Sequence, residues 1–409
     1  MALTIKILVY AIIIIMFLFE LWLSILNYKH RNTPIPDVVD DVYEKTSYKK
    51  YQAYTMSNFK FGLVVRGFNL LLILILLVSG FFVWLGNYVA NISVDFYNET
   101  LMFLFFYFLI TFVVDTIASY IRTFKIEEAY GFNRTTKQTF FIDKFKSLIL
   151  TIILGGGLVY GLLILFKSTD WMFFIYAWLA LAIIIIVVNL IYTSVIVPLF
   201  NKLTPLKKGS LRNKIQNFAE SVGYEIDKIS VMDASKRSSK LNAYFSGFGK
   251  SKRIVLYDTL LEKMSDDEIV AVLAHEIGHN KHKHIIFNLI QSVLMLSIYV
   301  LFLILFLEEE IFSLAFGFDE INIGFNLILY AIVLSPVLTI ISILSSFISR
   351  KFEFQADRFV YDNGEANALI TALKVLAREN FSNLTPHPLY VKLFYSHPPI
   401  VDRIKAITK

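Results

Sequence analysis

The sequence predicts an all-α polytopic membrane protein with seven transmembrane helices and a small α+β domain outside the bilayer. Three observations predict it. The chain is 56% hydrophobic with a mean hydropathy of +0.61, which sets it among membrane proteins before any motif is read. Seven stretches, near 5–27, 66–90, 101–121, 147–166, 172–199, 285–307 and 325–349, are long and apolar enough to span a bilayer. The polar segments between them alternate in charge.

Taken in order, the first stretch is too long for a cleavable signal peptide and lacks a small-residue cleavage site, so it is expected to be a span. The segment after it carries Lys29, Arg31, Lys45, Lys49, Lys50 and Lys60. The segment after the third stretch carries Arg122, Lys125, Arg134, Lys137, Lys144 and Lys146. Segments 91–100 and 308–324 hold no Lys or Arg, but do hold Asp95, Glu99, Glu308, Glu309, Glu310, Asp319 and Glu320. The positive-inside rule then puts the N-terminus on the outer or lumenal side and the C-terminus in the cytoplasm. Segments 200–284 and 350–409, both rich in Lys and Arg, fall on the cytoplasmic side.

The expected organisation is therefore five spans over 1–199, a first cytoplasmic piece over 200–284, two spans over 285–349, and a second cytoplasmic piece over 350–409. The first piece reads as a helix over 210–222 and strands over 226–232, 242–248 and 253–257. Gly247-Phe248-Gly249-Lys250 suggests the turn between the last two strands. A short helix over 258–264 follows. Ser265-Asp266-Asp267-Glu268 is a capping box that opens the next helix.

That helix contains His275-Glu276-Ile277-Gly278-His279. Histidines four apart project from one face and can share one metal ion, and the glutamate between them can take a proton from an attacking water. The chain has no cysteine, so zinc here must use His and carboxylate ligands. Residues 350–362 look helical and set Glu353 and Asp357 four apart on one face. Glu353 could complete a His, His, Glu site for one Zn2+, and Asp357 could fix the tautomer of a ligand histidine. This points to a metallopeptidase. His282 and His284 are read, with Lys281 and Lys283, as a basic cluster at headgroup level. The net charge of +6 is spread loop by loop rather than in one stripe, so no nucleic-acid partner is expected.

Several strings resemble the type I CaaX prenyl proteases, integral-membrane zinc endopeptidases of the gluzincin kind. They are Val272-Leu273-Ala274-His275-Glu276-Ile277-Gly278-His279, Phe352-Glu353-Phe354-Gln355-Ala356-Asp357, Ser396-His397-Pro398-Pro399-Ile400-Val401-Asp402-Arg403 and Asn242-Ala243-Tyr244-Phe245. Further strings lie at 127–133, 198–206 and 253–260. The resemblance implies a zinc-peptidase domain below seven helices that surround a chamber. It implies zinc on His275, His279 and Glu353, Glu276 as general base, and His397 and Arg403 near the oxyanion. It also implies an edge strand from Asn242 through Ala243 and Tyr244 that pairs with an extended substrate.

Within the spans, Glu20, Asp115, Asn69, Asn189, Thr339, Ser335, Ser342, Ser345 and Ser346 could line such a chamber, or bond helix to helix. The implied substrate is a prenylated C-terminal CaaX tail, cut to release its last three residues. The implied partners are that peptide or protein substrate and membrane lipid, with the enzyme a monomer. The membrane would be that of the endoplasmic reticulum in a eukaryote, or the inner membrane in a bacterium. The alternative is a quality-control protease that clears misfolded or jammed membrane proteins. A transporter with a structural zinc site is less consistent, because structural sites are closed by four protein ligands.

Overall fold

The computed structural model describes residues 1–226, 228–246 and 253–408. Among them seven helices are long and apolar enough to cross a membrane. These are α1 (Ala2–His30), α2 (Lys45–Val78), α4 (Phe96–Glu127), α5 (Lys137–Ser168), α6 (Asp170–Phe200), α10 (His284–Leu307) and α12 (Ile323–Asp362). Their outer faces expose residues such as Ile15, Leu71, Phe145, Ile183 and Leu301. Apolar surface of that kind is stable only against lipid.

The second span departs from the sequence reading. α2 stops at Val78, and Gly80 adopts φ 74° before a separate short helix, α3 (Phe81–Ile92). Only a residue without Cβ enters that left-handed conformation freely, so the apolar run near 66–90 is a helix, a break and a second helix. α3 then packs Phe82 and Leu85 into a cluster with Phe103, Phe325 and Leu329.

Between the fifth and sixth spans the chain builds a four-stranded sheet and three helices. The strands are β1 (Leu203–Pro205), β2 (Lys228–Met232), β3 (Ala243–Ser246) and β4 (Arg253–Tyr257), in the order β1-β2-β4-β3. β2 and β4 are parallel, and the other two pairings are antiparallel. β1 was not expected, and the suggested turn at 247–250 lies outside the described residues. The helices are α7 (Ser210–Ser221), α8 (Asp258–Lys263) and α9 (Asp266–Lys281). α9 starts at the predicted capping box, with Ser265 and Glu268 each bonding the other's backbone N–H.

After α10 come α11 (Glu310–Ala315) and then α12, which runs 40 residues without a break. The helix expected over 350–362 is thus the continuation of the last span, carried on until it packs against α9. α13 (Ala366–Asn380), α14 (Pro388–Phe394) and α15 (Ile400–Ile407) close the chain. One apolar core, with Ile254, Leu256, Ile269, Leu273, Ile277, Leu369 and Ile404 inside it, joins the segment between the fifth and sixth spans to the segment after the last.

Of the polar residues within the spans, Asn189, Ser335 and Thr339 bond carbonyls of their own helices, and others serve the two expected uses. Asp115 of α4 pairs with Lys144 of α5 at 2.8 Å, and Gln291 of α10 bonds Ser345 of α12, so these bind helix to helix. Ser342, Ser345, Ser346 and Ser349 line a cavity of about 630 Å3 between α10 and α12.

Candidate metal centre and catalytic cleft

α9 and α12 bring the site together by packing on each other. Along α9, nearly every residue from Ile269 to Gly278 is buried, which fixes the rotation of the helix and turns His275 and His279 toward α12. Residue Glu353 of α12 is 3% exposed and points back at them. His275 Nε2 lies 3.1 Å from His279 Nε2 and 3.4 Å from Glu353 Oε2, and His279 Nε2 lies 3.4 Å from Glu353 Oε1.

These distances test whether the donors suit a metal. Ligand atoms about 2.0–2.1 Å from a tetrahedral ion stand roughly 3.3 Å apart, and the imidazole–imidazole contact and the contact of each imidazole with one or other Glu353 oxygen are of that size. Glu353 Oε2 is buried with no hydrogen bond of its own. An orphaned carboxylate oxygen is costly to bury, and a cation between the three groups relieves it. The donor set fits a metal ion.

Supporting groups hold the ligands. Asp357 Oδ1 is 3.0 Å from His275 Nδ1, within hydrogen-bond reach of that ring. Arg403 of α15 donates to both Asp357 oxygens, from Nε at 2.8 Å and Nη2 at 2.6 Å. Its Nη1 also comes within 3.4 Å of Glu353 Oε2. His397 puts Nδ1 2.9 Å from Glu353 Oε1 while its side chain stays 68% exposed, open to the cleft. Burial and Arg403 push His275 down, yet hydrogen bonds to Asp357 and Glu353 and the Glu353 charge outweigh them, so it is held up to about 9. Burial pushes the Glu276 carboxyl up, against the pull of His275 and His279. A carboxylate of raised pKa lining a cleft is suited to accept and return a proton.

A cavity of about 490 Å3 gathers Asn242, Ala243, Tyr244, His275, Glu276, His279, Glu353, His397 and Arg403 on one surface. Asp357 lies behind it. β3 is the outermost strand on its side of the sheet. Asn242 precedes the strand instead of forming part of it, and its Oδ1 accepts from the Ala243 N–H at 2.9 Å.

The expected headgroup cluster is not what the structure has. Lys283 adopts φ 59°, and this turn folds His284 back beneath the site, 3% exposed. Lys281 Nζ instead reaches the carbonyls of Val222 and Gly223. The nearness of His284 to the HExGH string was the signal in the sequence. The turn that uses it was not visible there.

Known proteins resemble this arrangement along nearly the whole chain. Residues 24–202 match the profile described as CAAX prenyl protease N-terminal, five membrane helices, and residues 205–409 match peptidase family M48. A CAAX prenyl protease 1 homolog of Oryza sativa subsp. japonica is 35% identical, with 96% of this chain and 95% of that protein aligned. CAAX prenyl protease 1 of Saccharomyces cerevisiae is 34% identical, with 98% of this chain and 95% of that protein aligned. The crystal structure of S. mikatae Ste24p superposes with a TM-score of 0.93 at 33% identity, over 99% of both chains. With two profiles spanning both halves and relatives matched end to end, the chain belongs to the CAAX prenyl protease group of peptidase family M48, and it is an integral-membrane metalloendopeptidase.

Proposed function

We propose that the metal is zinc, held by His275, His279 and Glu353, and that the enzyme removes the C-terminal tripeptide from prenylated CaaX proteins. The observation that carries the metal reading is two imidazole nitrogens 3.1 Å apart, each 3.4 Å from one oxygen of the Glu353 carboxylate, whose Oε2 is buried without a hydrogen bond. Two imidazoles, one carboxylate and no thiolate suit zinc with one coordination position left open. The names of the relatives support the substrate class.

When bound, the ion would polarise the scissile carbonyl and make water a stronger acid. Glu276 takes the proton from the attacking water and returns it to the leaving amine. His397, exposed beside Glu353, donates to the oxyanion as it forms. Arg403 holds Asp357, and through it His275, while keeping positive charge beside the centre. The substrate lies extended along β3, adding a strand to the open edge.

The protein acts as a monomer in lipid, with its catalytic domain in the cytoplasm, as the loop charges imply. A reporter fused after Lys409 would be cytoplasmic, and a reporter on the opposite side would overturn the orientation. For the chemistry, wild type and Glu276→Gln are compared for zinc content and for cleavage of a farnesylated CaaX peptide and of an unfolded membrane protein. Equal zinc with activity only in the wild type is the expected result. Cleavage by the variant at the wild-type rate would sink the general-base role. Cleavage of the unfolded protein alone would replace the CaaX reading with quality control.

A further inference from the structure

We infer that His284 is a positioning residue for the metal centre, the hydrogen-bond acceptor that sets the tautomer and ring angle of His279. The inference rests on the metal-centre reading above. His275 has Asp357 behind it, but among the described residues no carboxylate is bonded to Nδ1 of His279. In that place stands His284, whose Nδ1 is 3.0 Å from His279 Nδ1.

The proton assignments follow from the far end of the chain of bonds. His284 Nε2 is 2.9 Å from Gln355 Oε1, and an amide oxygen can only accept. Nε2 of His284 therefore carries its proton, which leaves Nδ1 as the acceptor in a neutral ring. His279 must then carry its proton on Nδ1, leaving Nε2 bare and aimed at the point shared with His275 and Glu353. That is the tautomer a metal-binding histidine needs.

The ring of His284 is also fixed in angle. It stacks on Phe352, with centroids 3.9 Å apart and planes 11° apart. The left-handed turn at Lys283 directs it inward. Phe352, Glu353 and Gln355 lie within four consecutive residues of α12, so one helical turn supplies the ligand, the stacking face and the terminal acceptor. The two ligand histidines thus have different supports. A charged carboxylate serves His275, and a neutral imidazole serves His279 without adding negative charge to a site that already holds Glu276, Glu353 and Asp357.

The test uses the full chain purified in detergent, with zinc affinity measured by chelator competition and the centre observed as its cobalt(II) absorption spectrum. His284→Phe keeps a flat ring on Phe352 but has no acceptor. His284→Asn loses the ring but can put Oδ1 near the place of Nδ1. The Phe variant is expected to bind zinc about 10- to 100-fold more weakly with an altered cobalt spectrum. The Asn variant should return to within a few-fold of wild type. Wild-type affinity in the Phe variant, or equal loss in both, would overturn the inference, since packing alone would then explain His284. Should the metal-free Phe variant fail to melt cooperatively, Gln355→Leu leaves His284 and its stack in place. A several-fold loss of affinity there supports the inference, and an unchanged affinity overturns it. A wild type that binds no zinc would instead overturn the metal-centre reading itself.

Discussion

Gly278 of α9 lies directly against Ala356 of α12. A Cβ added at position 278 would stand 3.2 Å from the Ala356 Cα and 3.2 Å from Cβ of Phe359. With no Cβ at Gly278 the two helices approach closely at this point, and this sets how near Glu353 comes to the two histidines. Gly278→Ala gains up to about 1 kcal/mol in helix propensity, but forcing a methyl between buried backbones costs about 1–3 kcal/mol. The second effect wins, and the strain falls on ligand geometry. The variant is expected to bind zinc at least tenfold more weakly while remaining folded. Wild-type affinity by chelator competition would show that the helices can part without disturbing the site.

Asp357, which is buried, and Arg403, whose side chain is 11% exposed, form a bidentate pair behind His275. Removing one partner of such a pair strands the other, at a cost of about 3–5 kcal/mol. Asp357→Asn should therefore lower the melting temperature and weaken zinc binding about 10- to 100-fold. Arg403→Lys keeps the charge but not the two-pronged geometry, and should retain most stability while losing affinity. If the lysine variant matched wild type in zinc binding, the charge alone would matter and the clamp would not.

Much of this was legible because it is local. Spans declare themselves by length and apolar content, and the capping box before α9 is a four-residue pattern. His275 and His279 are one helical turn apart, and Glu353 with Asp357 are again one turn apart. What escaped was set by tertiary contact or by a single backbone angle. Gly80 inside an apolar run is compatible with an unbroken helix, and only its φ of 74° reveals the break. β1 is three residues ending in proline, too short for any period to show. His284 is five residues from His279, a spacing that no regular helix face uses, and reaches it only through the turn at Lys283. Arg403 is placed near the centre by the resemblance alone, because no local pattern marks it; its contact with Asp357 is made by the packing of α15.

Metal binding should depend on pH with a definite sign. In the metal-free protein His275 is held up to about 9, so at neutral pH it carries a proton that zinc must displace. Below about 9 the apparent affinity should fall roughly tenfold for each unit of acidification, the slope of a single displaced proton. Above it the dependence should flatten. Titrations at several pH values, corrected for the chelator's own protonation, check this. A flat profile between pH 6 and 8 would mean that His275 is already neutral when the metal arrives.

The register of β3 states which of its backbone groups a substrate can use. Ala243 faces Leu256, Tyr244 faces Val255 and Phe245 faces Ile254. Tyr257 donates to the Asn242 carbonyl at 3.1 Å, so Asn242, Tyr244 and Ser246 sit in the hydrogen-bonded pairs of the ladder. In an antiparallel pair the alternate residues turn their N–H and C=O away from the partner. Ala243 and Phe245 therefore present theirs to the open edge. Without substrate, Phe245 bonds Glu276 through its backbone and Ala243 bonds the Asn242 side chain, so a bound peptide must replace these partners. Ala243→Pro deletes one outward N–H and leaves the bonds to β4 intact, and proline is tolerated at such an edge position. The variant should show kcat/KM reduced about tenfold, mainly through KM, with zinc content and melting temperature close to wild type. Unchanged kcat/KM would remove β3 as the substrate's partner strand, and lost zinc would mean that the substitution had disturbed the fold instead.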